Sequence, residues 1–124
     1  MRVLICDDNE DAAQTLSMLV GIDRHETRVC RDGASCIATA HEWRPQIGLI
    51  DIGMPQIDGY DVARAIRKEL GSAVLLIAVT GFAGAEDVEA AKRAGFDLHF
   101  PKANDPEALL QLVRGGASRR PARH

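Results

Sequence analysis

A chain of 124 residues fits one domain, large enough to bury a core without staples, and its 27% charged and 46% hydrophobic residues are ordinary for a soluble globular protein. The net charge of -3 hides an asymmetry: residues 114–124 carry four Arg and no acid, which leaves 11 basic against 18 acidic residues in the body, a net -7. Such a body argues against nucleic acid as a direct partner, and the basic end is too short to count as more than a solvated tail.

In chain order, the apolar run Val3-Leu4-Ile5-Cys6 is too short for a signal peptide and leads into Asp7-Asp8-Asn9. Ala12, Leu16, Leu19 and Val20 then recur at helical spacing and predict one buried stripe. Residues 26–30 alternate polar and apolar as an edge strand does, and residues 34–42 predict a short helix. Trp43, before Arg44-Pro45, reads as a residue packing that helix end. Residues 47–50 form a second continuous apolar run, closed by Asp51. Val62, Ile66 and Leu70 mark the next helix, with Asp58 as its candidate cap. Residues 73–79 are a third apolar run ending at Thr80, and residues 85–94 a helix of small residues. Residues 98–100 are a short edge strand, and Asp105-Pro106-Glu107 sets a cap, a first-position Pro and a first-turn acid at the start of the last helix. After about Val113 the chain looks unstructured, giving a domain over residues 1–114 and a flexible basic tail over 115–124. No run approaches the ~18 apolar residues of a membrane span. Cys6, Cys30 and Cys36 show no C-x-x-C spacing and are expected to be reduced thiols of a cytoplasmic protein.

Continuous apolar runs are expected of parallel strands covered on both faces. Five β-α units therefore imply an α/β fold, a doubly wound five-stranded parallel sheet with strand order 2-1-3-4-5. That order makes the first and third strands neighbours, so Asp7, Asp8 and Asp51 converge on the crevice at their C-terminal ends. Taken alone, Asp51 is better explained as a turn-former closing a strand. Beside two other carboxylates it has a different meaning. Two carboxylates about 4 Å apart repel by roughly 4 kcal/mol at an effective dielectric of 20, so a cluster of three calls for a cation or a shared proton. Mg²⁺ suits an open acidic pocket, because it takes few protein carboxylates and completes its shell with water or phosphate oxygens. Thr80 and Lys102, after the fourth and fifth strands, add a hydroxyl and an ammonium to the same rim. Together these groups describe a phosphoryl acceptor site.

The ordered set of D-D after the first strand, D-x-x-M-P-x-x-D-G after the third, Thr after the fourth and Lys after the fifth resembles the receiver domain of two-component response regulators over residues 2–114. The resemblance implies a flavodoxin-like (βα)5 sandwich and assigns the roles. Asp51 is the phosphoacceptor, served by a sensor histidine kinase or a histidine phosphotransfer protein. Asp7, Asp8, Asp51 and the Gly53 carbonyl hold Mg²⁺, while Thr80 and Lys102 bind the phosphate. His99 stands where the family has a Tyr or Phe that swings inward as Thr80 moves, which makes Thr80 and His99 the switch pair. Gly53 and Phe82 take the positions that control water access to the phosphoaspartate. The run over residues 95–99 followed by that over residues 105–109 further resembles receivers attached to hybrid sensor histidine kinases. One departure stands out, since the family's Lys-Pro pair is replaced here by Pro101-Lys102-Ala103.

The expected function is a phosphorylation-dependent signalling module, not an enzyme, acting through a downstream protein partner without a DNA-binding output domain. A degenerate receiver used for docking is the alternative. A Mg²⁺-dependent phosphohydrolase is disfavoured, because neither acidic strand end carries a D-x-D nucleophile and acid pair.

Overall fold

The computed structural model describes residues 1–52, 59–80, 85–101 and 106–119. Strands β1 (Arg2–Cys6), β2 (Glu26–Cys30), β3 (Ile47–Asp51), β4 (Leu75–Thr80) and β5 (Leu98–Pro101) alternate with helices α1 (Glu10–Gly21), α2 (Gly33–Trp43), α3 (Gly59–Leu70), α4 (Ala85–Ala94) and α5 (Pro106–Arg119). All strand pairs are parallel, and the sheet order is β2-β1-β3-β4-β5. The continuous apolar runs become the three inner strands, and β3 and β4 are buried along their whole length. On the alternating edge strand β2, only Cys30 is buried.

Alternation along each strand sends side chains to two cores. One holds Val3, Ile5, Leu49 and Ile77 under Val20 of α1 and Leu109 and Val113 of α5. The other holds Leu4, Ile50 and Leu76 under Cys36 and Ala40 of α2, Val62 and Ile66 of α3 and Ala91 of α4. The α3 stripe is the one its spacing predicts. In α1 the fully buried positions are Ala13 and Val20, with Leu16 and Leu19 half-buried at the margin.

Local chemistry starts the helices where the chain leaves the sheet. Asn9 caps α1, its side-chain oxygen accepting from the Ala12 amide at 2.9 Å, and Asp32 caps α2 by accepting from the Ser35 amide at 2.8 Å. Arg44 ends α2 in a left-handed conformation. Trp43 packs at that helix end as expected, beneath the guanidinium groups of Arg28 at 4.8 Å and Arg2 at 6.0 Å from its ring centre. Pro106 is the first residue of α5. The proposed caps Asp58 and Asp105 lie outside the described residues.

Two expectations are corrected. The cysteines are not all thiols, since Cys6 and Cys36 form a disulfide and Cys30 alone is free. Thirty residues separate the pair in sequence, but the end of β1 lies under the first turn of α2 and brings their Cα atoms to 6.1 Å. In addition, α5 does not stop near Val113 but runs to Arg119, because each residue added to a formed helix gains a backbone hydrogen bond at small cost, even through Gly115-Gly116.

Candidate functional site

The site stands at the C-terminal ends of β1, β3 and β4. The Asp7 amide donates to the Cys30 carbonyl at 3.1 Å, which carries the β1–β2 ladder one residue past β1. The Asp7 Oδ1 then accepts from the Asn9 amide at 3.0 Å. Asp7, a residue beyond the ladder, is turned inward and only 1% exposed, whereas Asp8 faces solvent. Asp51 is the last residue of β3, 8% exposed, in register with Val79 of β4. Because Cys6 pairs with Ile50 in the β1–β3 ladder, the residues that follow each, Asp7 and Asp51, come side by side. One carboxylate oxygen each from Asp7, Asp8 and Asp51 lie within 4.8 Å of one another.

This donor set fits a hard divalent cation. Among the described residues it is all carboxylate oxygen, with two members held in the protein and the third at the surface, which would leave a cation held there room for water or a phosphate oxygen. A closed cage of protein ligands would not leave that room.

Thr80 is buried, one residue beyond Val79 and therefore just past the level of Asp51. His99 of β5 is in register with Ala78, and alternation places His99 and Thr80 on the same side of the sheet, two residues apart in level. The His99 Nε2 is buried and has no hydrogen-bond partner among the described residues. Gly53, Phe82 and Lys102 lie outside the described residues.

Two positioning features were not read from the sequence. Asn9 both caps α1 and anchors the Asp7 carboxylate through its amide; its signal was an Asn directly before Glu10-Asp11. Gly59, the first residue of α3, lies so close to the end of β3 that a Cβ there would stand 2.4 Å from the Ile52 Cα and 2.7 Å from the Asp51 carbonyl oxygen. Only a glycine lets α3 start against the strand end that carries Asp51.

The response regulator receiver domain model matches residues 3–114. The chain belongs to that family. Receivers are signalling domains of two-component systems, and aspartate phosphorylation and Mg²⁺ are general features of the family. This receiver is 29% identical over 113 residues to the DNA-binding response regulator MtrA of Mycobacterium tuberculosis (strain ATCC 25618 / H37Rv), covering 91% of this chain and 49% of MtrA. The chain thus spans about half the length of the MtrA relatives it matches. It is also 28% identical over 115 residues to an uncharacterized 14.6 kDa protein of Leptolyngbya boryana, covering 92% of this chain and 88% of that one. The crystal structure of a CheY-like receiver domain protein from Methanospirillum hungatei JF-1 superposes with a TM-score of 0.89 at 23% identity, covering 96% of this chain and 94% of that one. The likeness to hybrid-kinase receivers rests on the sequence motif alone.

Proposed function

We propose that Asp51 accepts a phosphoryl group from the phosphohistidine of a sensor histidine kinase or a histidine phosphotransfer protein. The observation that carries this reading is the position of Asp51, buried at the end of β3 with Asp7 and Asp8 oxygens within 4.8 Å. An Asp51 carboxylate oxygen attacks phosphorus, the bond from phosphorus to the donor imidazole nitrogen breaks, and an acyl phosphate is left on Asp51. Asp7, Asp8, Asp51 and the Gly53 carbonyl would hold Mg²⁺, which would supply charge neutralisation for the transferred group. The Thr80 hydroxyl and the Lys102 ammonium bind the phosphate oxygens, and Gly53 and Phe82 govern the approach of water.

His99 reports the state of Thr80 from the neighbouring strand. Its sealed Nε2 gains or loses surroundings when Thr80 moves toward the phosphate. The receiver takes in the chain through α5, acts in the cytoplasm, turns over no substrate of its own and signals through a protein partner. The acidic body supports a protein partner over nucleic acid, and no helix among the described residues is long and apolar enough to cross a membrane.

Incubation with a small phosphodonor and Mg²⁺, followed by intact mass, tests this. One phosphoryl group is expected on the wild-type chain and none on Asp51→Asn or in excess chelator. Labelling that persists in Asp51→Asn moves the site elsewhere, and undiminished labelling in chelator removes the metal. For His99, the NMR signals of its ring should shift when beryllofluoride is added; an unchanged environment ends its role as a switch.

A further inference from the structure

The three cysteines meet at the strand end that presents the acidic cluster. Cys6 closes β1 and directly precedes Asp7, and it is in register with Cys30 of β2. The Cys30 carbonyl accepts the Asp7 amide at 3.1 Å, and the Cys36 Sγ lies 4.0 Å from that same carbonyl oxygen. The disulfide joins Cys6 to Cys36 above this contact, so one covalent bridge ties α2 to the residue before Asp7 and touches the group that holds the Asp7 amide. Cys30 keeps its thiol, 3.2 Å from the Thr39 Oγ1.

We infer that Cys6 and Cys36 form a redox site that sets the geometry of the acidic pocket, a disulfide when oxidised and two thiols when reduced. The inference rests on the phosphoacceptor reading only for what the switch controls. Oxidation takes a peroxide as co-reactant. The thiolate of one cysteine attacks a peroxide oxygen, the O–O bond breaks, and water leaves a sulfenic acid; the second thiol attacks that sulfur, the S–S bond forms, and a second water departs. Reduction takes a dithiol, which opens the bridge through a mixed disulfide and leaves as its own cyclic disulfide, returning both protein thiols.

Coupling to the pocket follows from packing. Two non-bonded sulfurs stand farther apart than two bonded ones, and in a close-packed core that separation must be taken up by α2 or by the end of β1. Either movement disturbs the Cys30 carbonyl and, through its hydrogen bond, Asp7. Both bridging cysteines are fully covered while Cys30 is 8% exposed, so exchange waits on local opening of the first turn of α2. The switch therefore answers sustained oxidation rather than brief pulses.

The full chain, treated with hydrogen peroxide or with dithiothreitol, is denatured, alkylated and weighed. One alkylated cysteine is expected in the oxidised sample and three in the reduced one. Cys30→Ser should give none and two. Cys36→Ser should show no bridge between Cys6 and Cys30, and its folded spectrum should match that of the reduced wild type. If that variant does not fold, the wild-type pair of samples decides. In those, the amide resonances of Asp7, Asp8 and Cys30 should differ between the two states, and Mg²⁺ affinity should change by about fivefold or more. Three alkylated cysteines after peroxide, or identical Asp7 and Asp8 amide resonances in both states, would overturn the proposal. Mg²⁺ that binds neither state defeats the metal reading of the pocket, and the amide resonances still decide the switch.

Discussion

At the N-terminal ends of the strands, Arg67 donates to the carbonyls of Gly71, Val74 and Gly95 and to the Asp97 carboxylate, whose Oδ2 also accepts the Leu76 amide at 2.9 Å. Arg2 donates to the Arg44 carbonyl there, and Arg114 pairs with Asp23 at 2.9 Å. At the C-terminal ends, Asp7, Asp8 and Asp51 gather three charges of one sign. The same sheet therefore carries one rim where these opposite charges pair and another where, beside the Arg31–Glu10 pair, three carboxylates are massed. Matched charges fasten helices and loops to the sheet; massed like charges cost stability and make sense when something else is bound. The difference separates what holds this receiver together from what it works with, and it can be tested by altering each rim in turn.

The largest effect is expected from Arg67→Ala. Charge-assisted hydrogen bonds contribute about 1.5–3 kcal/mol each, and this change removes several at once from a side chain that is 25% exposed. A loss of about 3 kcal/mol in chemical denaturation is expected. Mg²⁺ affinity should not change, and a fall in it would show that the two rims are not separable. Gly59→Ala should come next, at about 2 kcal/mol, because its Cβ meets backbone rather than a movable side chain. Here metal affinity should fall together with stability, since the displaced backbone is that of Asp51 and Ile52. A variant as stable as the parent would mean that α3 shifts freely at its start.

Asp8→Ala tests the massed rim in the opposite direction. Removing the exposed member of the cluster relieves repulsion worth about 1 kcal/mol in a water-like dielectric, so the metal-free protein should become more stable by roughly that amount. The same variant should lose most of the rise in Tm that Mg²⁺ gives the parent. Unchanged metal affinity would remove Asp8 from the site.

How much of this was legible in the sequence depends on the reach of each interaction. Edge and centre strands could be told apart because alternation in residues 26–30 and the continuous runs at 47–50 and 73–79 are local patterns. The convergence of Asp7, Asp8 and Asp51 could be read because strand order alone puts the first and third strand ends together. The bridge between Cys6 and Cys36 could not, because it depends on how α2 lies over β1, and nothing in a spacing of thirty residues reports that. The same holds for Arg67, a helix-surface Arg by pattern, whose partners belong to the α3–β4 connection and the start of β5. Gly59 was visible as the last residue of the D-x-x-M-P-x-x-D-G motif, but its close approach to the Asp51 carbonyl lies outside any local pattern.

The smallest effect concerns pH at the matched rim. Burial holds the His25 imidazole below its usual pKa, with the nearby Met1 amino group acting in the same direction and Asp23 opposing it. A base whose folded pKa is depressed is protonated more readily in the unfolded chain. Between the folded value and the ordinary value near 6.5, the unfolded state therefore binds more protons, and stability rises with pH across that window. The contribution is fully present above the ordinary value and is lost as the pH falls through the folded one. Asp23 is also depressed, by its hydrogen bond to Arg114, so its contribution has the same sign but is lost only in the acid range of carboxylates. The two windows are separate, and His25→Gln should flatten the upper one alone. Tm measured from pH 8 down to pH 4 should show a shallower decline for His25→Gln just below pH 6.5 and parallel curves further down. If the parent and variant curves are parallel throughout, His25 titrates alike in the folded and unfolded chains, and the matched rim owes nothing to its burial.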